Sequence, residues 1–174
     1  GASHGGRSLD PGLFDAKALG EWAGKLRPSP LMFVPMTMEE ALKAQAQPKG
    51  IPMGKIVERM KAGLVSSGNA LVGGLLKACL DRGIDIMLDT RARELIREDG
   101  RVVGLRAEQD GADVQIGARG GVVLACGGFE WNDELRDRFM PGPITHHCSP
   151  GHNEGDALLM SQEAGADIGN MSEA

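Results

Sequence analysis

Gly121-Val122-Val123-Leu124-Ala125-Cys126-Gly127-Gly128 is the stretch on which the fold of this chain turns. Val122 to Ala125 are apolar without alternation, the pattern of a strand covered on both faces in a parallel sheet. The run breaks into a glycine pair. Glycines at the carboxyl end of such a strand remove β-carbons where another group must come close to the backbone. In open α/β sheets that end of the strands is where ligands bind. Further along, Pro150-Gly151-His152-Asn153-Glu154-Gly155-Asp156 opens a helix. Together the two stretches predict half of a nucleotide-cofactor site.

The second stretch supports that expectation with different physics. Gly155-Asp156 precedes Ala157-Leu158-Leu159-Met160-Ser161-Gln162-Glu163-Ala164, mostly good helix formers, and Gly165 supplies the stop. Free N–H groups at the helix start, with the positive end of its dipole, suit a diphosphate. The carboxylate of Asp156 would repel that anion, so its expected partner is a hydroxyl of a sugar or ribitol. Taken alone, a Gly-Asp pair before a helix is more often only a cap.

Ala-Cys-Gly-Gly-Phe-Glu-Trp-Asn at 125–132, followed by Asn-Glu-Gly-Asp-Ala at 153–157, resembles the flavoprotein family of fumarate reductases and 3-ketosteroid dehydrogenases. That family shows A-T-G-G-F and then N-x-G-D-G at similar spacing. The resemblance extends through Asn69-Ala70-Leu71-Val72, Thr90-Arg91-Ala92 and Ala164-Gly165-Ala166-Asp167, and more loosely to Lys25-Leu26-Arg27-Pro28. It implies an FAD-dependent oxidoreductase acting on a carbon–carbon bond next to a carbonyl or carboxylate. Diphosphate and ribitol contacts would fall to Ala125, Cys126, Gly127, Gly128, Gly155 and Asp156. Ala92, on the strand that passes the adenine in that family, would offer backbone groups to the base; an ordinary strand alanine fits the same position. A steroid-like enone suits the ketosteroid branch and a small dicarboxylate the fumarate branch, with Lys25-Leu26-Arg27-Pro28 slightly favouring the former.

Departures from the family pattern shape the expectation. Cys126 replaces threonine and can lend its backbone N–H but no hydroxyl. Ala157 replaces a frequent glycine and adds a methyl group, tolerable if it faces away from the cofactor. The family's G-x-G-x-x-G turn after a first strand has no counterpart, since Gly1-Ala2-Ser3-His4-Gly5-Gly6 lacks both spacing and strand. Tyrosine, which the ketosteroid branch uses for acid–base steps, is absent. The expectation is a central fragment of a larger flavoenzyme, without catalytic residues of its own and inactive alone.

Composition narrows the remaining classes. With 174 residues there is enough chain for a sizeable core, and 3% aromatic content makes that core aliphatic and rich in methionine. A net charge of −5 lacks the electrostatic footprint of a nucleic-acid binder. Arg91, Arg93, Arg97 and Arg101 alternate with Glu94, Glu98 and Asp99 and read as a solvated face. Cys79, Cys126 and Cys148 form no C-x-x-C and no even framework, which favours a reducing, cytoplasmic setting. No apolar run reaches membrane-spanning length.

The predicted fold class is α/β: a partial FAD-binding, Rossmann-like domain with a mostly parallel sheet and a small antiparallel β-meander. Residues 1–68 are expected to form a connecting arm with helices, part of a substrate-side region, and 69–174 the partial FAD-binding domain, with the meander at 93–118. A short helix is expected from Asp15 to Lys25. Thr37-Met38-Glu39-Glu40 is a capping box for the next, which Pro48-Lys49-Gly50 ends. Pro52 opens another, with Ile56, Met60 and Leu64 on one face. Ser66-Ser67-Gly68-Asn69 caps a largely buried helix from Ala70 to Arg82, striped by Leu71, Leu75, Ala78 and Cys79, with Gly83 as terminator. Gly73-Gly74 inside it signals close approach, to a sheet rather than to the cofactor. Ile84 to Leu88 alternates as a strand. Asp99-Gly100 and Asp110-Gly111 are hairpin turns of the meander, with Val103, Leu105, Ala107, Val114 and Ile116 facing inward. Asn132-Asp133-Glu134 caps a short helix, with Phe129 and Trp131 as packing residues.

Two rival chemistries remain on the sequence. His146-His147-Cys148 with His152 could supply zinc ligands, although adjacent histidines diverge on an extended chain. Alternatively the glycines serve only turns, in a cofactor-free folding or interaction module. An exposed sheet edge would favour a homodimer.

Overall fold

The computed structural model describes residues 9–28, 34–46 and 53–172. The chain forms two compact units, Gly1–Ile86 and Met87–Ala174. Gly1 to Gly6, Pro48-Lys49-Gly50 and Pro52 lie outside the described residues, and so do the expectations placed on them.

In the first unit, strand β1 (Phe14–Asp15) leads into a 3₁₀ helix, Ala16–Lys25, kinked at Gly20 with φ 58°. The expected short helix is therefore present, in the tighter form. Asp15 accepts from the Lys17 N–H and starts it. Helix α1 (Met38–Ala46) carries the reciprocal box read from sequence: the Thr37 N–H donates to Glu40 Oε2 at 3.1 Å and the Glu40 N–H to Thr37 Oγ1 at 3.3 Å. Helix α2 (Met53–Ala62) buries Ile56, which is 2% exposed. Met60, expected on the same face as Ile56, is exposed. Gly63, at φ 83°, ends α2, and Leu64 leaves the helical face for strand β2 (Leu64–Val65), antiparallel to β1. Arg59 forks onto the Glu40 carboxylate at 2.6 and 2.8 Å and donates to Pro35 O at 2.9 Å, fastening α2 to α1.

Helix α3 (Ser67–Leu80) corrects the expectation of a largely buried element. Its buried positions are Ala70 and Gly73, while Leu71, Val72 and Leu75 stay 52%, 54% and 61% exposed. The reason is the closeness of Phe14. A β-carbon on Gly73 would sit 2.7 Å from the Phe14 ring, whereas one on Gly74 would meet nothing within 4 Å. The small-residue side of α3 lies on β1, and the leucine stripe is left out. Gly83, at φ 63°, terminates the turn after α3 as expected.

The second unit is built on strands β3 (Thr90–Glu98), β4 (Arg101–Gln109) and β5 (Ala112–Gly117), ordered β3-β4-β5 and antiparallel throughout. Asp99 and Gly100, like Asp110 and Gly111, have positive φ, the geometry of two-residue hairpin loops. Leu105 opposes Ile116 and Ala107 opposes Val114, so the predicted inner face forms, with Ala107 at 1% exposure. A bulge interrupts β3 between Ala92 and Glu94. Helices α4 (Asp133–Phe139) and α5 (Asp156–Glu163) complete the unit, with Leu135 and Met160 buried. Asn132 accepts from the Leu135 N–H at 3.1 Å, the predicted cap.

The fold is thus mixed α/β with antiparallel sheets. Among the described residues no two strands pair in parallel, and neither 84–88 nor 122–125 joins a ladder. Val123 is 91% exposed rather than covered on both faces. A parallel strand takes its hydrogen bonds from neighbours remote in sequence. Here none lies alongside, so the apolar run has the composition of a central strand without the partners that would make it one.

Candidate cofactor site

The two stretches singled out in the sequence meet. The Gly155 N–H donates to Gly128 O at 3.0 Å, and the Trp131 N–H donates to Asn153 O at 3.0 Å. Asn153 Nδ2 reaches Glu130 Oε1 at 2.9 Å, and Asn132 Nδ2 reaches Glu154 O at 3.0 Å. The hydrogen bond from Asn153, then one from Ser149, holds the Glu130 carboxyl below its ordinary value. These bonds lock the glycine bend to the loop that opens α5.

Much of what the glycines admit is this chain itself. Gly155 caps α5 at φ 86°, and a β-carbon there would lie 2.6 Å from Leu135 Cδ1 and 3.0 Å from Phe129 Cβ. Gly127 has φ 87°, and a β-carbon would lie 2.5 Å from Asn153 Oδ1. On Gly128 it would strike the Glu130 carboxylate. Phe129 packs edge-on against Phe139, ring centroids 6.0 Å apart. What the chain leaves open is its peptide nitrogen. Among the described residues, no acceptor takes the N–H of Cys126, Gly127 or Gly128, or of Asp156, Ala157 or Leu158 in the first turn of α5.

Ala92, Cys126 and Asp156 come together in the wall of one cleft of about 480 Å³, joined by Arg91, His152 and Glu154. Ala125, Gly127 and Gly128 are exposed but outside that wall, and Gly155 is buried and not part of it. Arg91 was expected on a solvated face with its arginine neighbours. Arg93 and Arg106 do pair within the meander, with Glu108 and Glu94. Arg91 instead crosses to the α5 loop. Its Nε and one terminal nitrogen grip Asp156 at 2.8 and 2.7 Å, and the same nitrogen reaches Glu154 at 2.5 Å. Asp156 first, then Glu154, raises the Arg91 guanidinium still further above neutrality. Arg91 and Glu154 are the site residues that sequence reasoning missed. Arg91 reaches Glu154 across 63 positions and Asp156 across 65, and no local spacing encodes either contact.

Two histidines of the cluster make other contacts. His147 lies over Trp131 with ring centroids 4.5 Å apart, and its Nε2 is 3.3 Å from Arg136. His146 Nδ1 is 2.9 Å from Thr145 Oγ1. Among the described residues no three His, Cys, Asp or Glu side chains are grouped to hold a metal ion.

Residues 5–174 match the FAD binding domain family, and the chain belongs to that family. It is 36% identical, over its whole length, to 4-oxocyclohexanecarboxylate 2-dehydrogenase of Sinomonas cyclohexanicum, covering 30% of that protein. It is 34% identical, again over its whole length, to 3-oxosteroid 1-dehydrogenase of Mycobacterium tuberculosis, covering 34% of it. In structure it is similar to 3-ketosteroid delta1-dehydrogenase from Sterolibacterium denitrificans, solved in complex with 1,4-androstadiene-3,17-dione. That match has a TM-score of 0.86 and 32% identity, over 96% of this chain and 34% of the other. The chain thus spans about a third of the length of the relatives it matches.

Proposed function

We propose that this chain is the central part of an FAD-dependent dehydrogenase or reductase acting on a CH–CH bond next to a carbonyl. The observation that carries the reading is the junction of the glycine bend with the tip of α5, where unpaired peptide N–H groups of both stretches border the Arg91 cleft. Donors without acceptors at a helix start fit a diphosphate, and the carboxylate of Asp156 fits a ribitol or ribose hydroxyl. Ala125, Cys126, Gly127 and Gly128 would hold the diphosphate and ribitol by backbone, Gly155, its N–H spent on Gly128 O, would shape the helix tip beside them, and Ala92 would meet the adenine. Bound FAD would supply hydride transfer at its flavin ring. The chain's own part is to bind and orient: Gly127 and Gly155 fix the bend and the helix tip, and Asn153 keeps them in register. Acid–base residues would come from outside this chain.

Residues 69–174 would serve as the partial FAD-binding domain and 1–68 as the arm toward the substrate side. In the larger protein, 122–125 would enter a mostly parallel sheet with strands from elsewhere. Two relatives are named for dehydrogenating oxo-bearing ring substrates, which favours a cyclic enone, steroid-like or smaller, over a dicarboxylate. Among the described residues no helix is long and apolar enough to cross a membrane. Three free cysteines support a cytoplasmic setting, and the exposed apolar stripe of α3 is compatible with a homodimer, which light scattering would test.

The internal contacts of Gly127, Gly128 and Gly155 favour one rival, a folding module in which the glycines serve turns alone. The visible spectrum of the full-length protein separates the two. The flavin reading expects stoichiometric yellow chromophore released on denaturation. A colourless protein whose melting temperature ignores added FAD would sink it.

A further inference from the structure

Asp156 raises an electrostatic difficulty for the site proposed above. Its carboxylate opens α5, where a diphosphate would bind, and Glu154 adds a second negative charge two residues earlier. Two carboxylates beside that anion oppose it. Arg91 answers both. Its guanidinium binds Asp156 through two nitrogens and Glu154 through one, leaving one net negative charge where there would be two. Its remaining terminal nitrogen has no partner among the described residues, and the side chain lines the cleft, 43% exposed.

We infer that Arg91 is a positioning residue for the cofactor's diphosphate. It offsets one of the two carboxylate charges beside the anion and turns its free nitrogen to it. The inference rests on the flavin reading and goes beyond it, because family resemblance assigns backbone at this strand, not a charged side chain. A surface ion triad of purely structural use would contribute little at this exposure, and its loss would not depend on what charge the ligand carries.

The test uses full-length apoprotein and FAD titration followed by flavin fluorescence. Wild type should bind FAD, and R91A should bind about 10- to 100-fold more weakly, with the deficit shrinking as salt rises. R91A/E154Q should regain part of the loss, because it removes the uncompensated charge and leaves the Asp156 carboxylate in place. R91Q, which keeps a polar side chain without the charge, serves where R91A does not fold and should show a deficit of the same order. Unchanged FAD affinity in R91A or R91Q, or a deficit that E154Q leaves intact, overturns the inference while the flavin reading stands. No FAD uptake by wild type overturns both.

Discussion

Glu40 and Arg59 show what one side-chain pair does for the first unit. The forked hydrogen bond from Arg59 brings the Glu40 carboxyl from 4.5 to about 2, against a smaller opposing effect of burial. A depressed carboxyl binds more protons unfolded than folded, so its contribution is complete above about pH 4.5 and is lost as pH falls toward 2. E40Q should cost about 1–3 kcal/mol at neutral pH and flatten that acid dependence. Urea melts of both proteins between those pH values check it. The helix glycines give a second contrast. G73A drives a methyl group into the Phe14 ring and should cost about 1–3 kcal/mol, whereas G74A meets open space and should stabilise by up to about 1 kcal/mol. Equal effects at the two positions would contradict the packing described.

At the scale of elements, the caps and turns that were legible in sequence are those whose partners lie within a few residues. The Thr37–Glu40 box, the Asp99-Gly100 and Asp110-Gly111 turns, and the Asn132 cap all close locally. Asn132 also does something its cap signature does not announce, donating Nδ2 to Glu154 O. N132A should therefore cost about 1 kcal/mol through α4 and free the loop as well. N132D keeps the cap acceptor but loses the donor, so hydrogen exchange should quicken at 150–155 while α4 stays protected. The elements misread were those defined by distant partners. An apolar run at 122–125 specifies a buried strand only if a neighbour arrives. The leucine stripe of α3 specifies a buried face only if something covers it, and Phe14 chose the glycine side instead.

For the whole molecule, the proposed function makes FAD retention a matter of length. The 174-residue chain presents the bend, the helix tip and the Arg91 cleft, but of the residues with open N–H groups only Cys126 and Asp156 line that cleft. It should keep little or no FAD through gel filtration, whereas the protein at the full length of its relatives should keep it in equal amount. Tight stoichiometric FAD on the short chain would show that the missing half of the cradle is dispensable. The amino-acid sequence by itself determined the family, through its motifs, and the meander turns and the Thr37 and Asn132 caps, because these close within a few residues. Only the tertiary structure decided which face of α3 is covered, that Gly155 is held by Leu135 and Phe129, and that Arg91 leaves its arginine neighbours for Asp156 and Glu154. Those outcomes depend on which remote groups approach within a few ångströms, and no spacing along the chain carries that information.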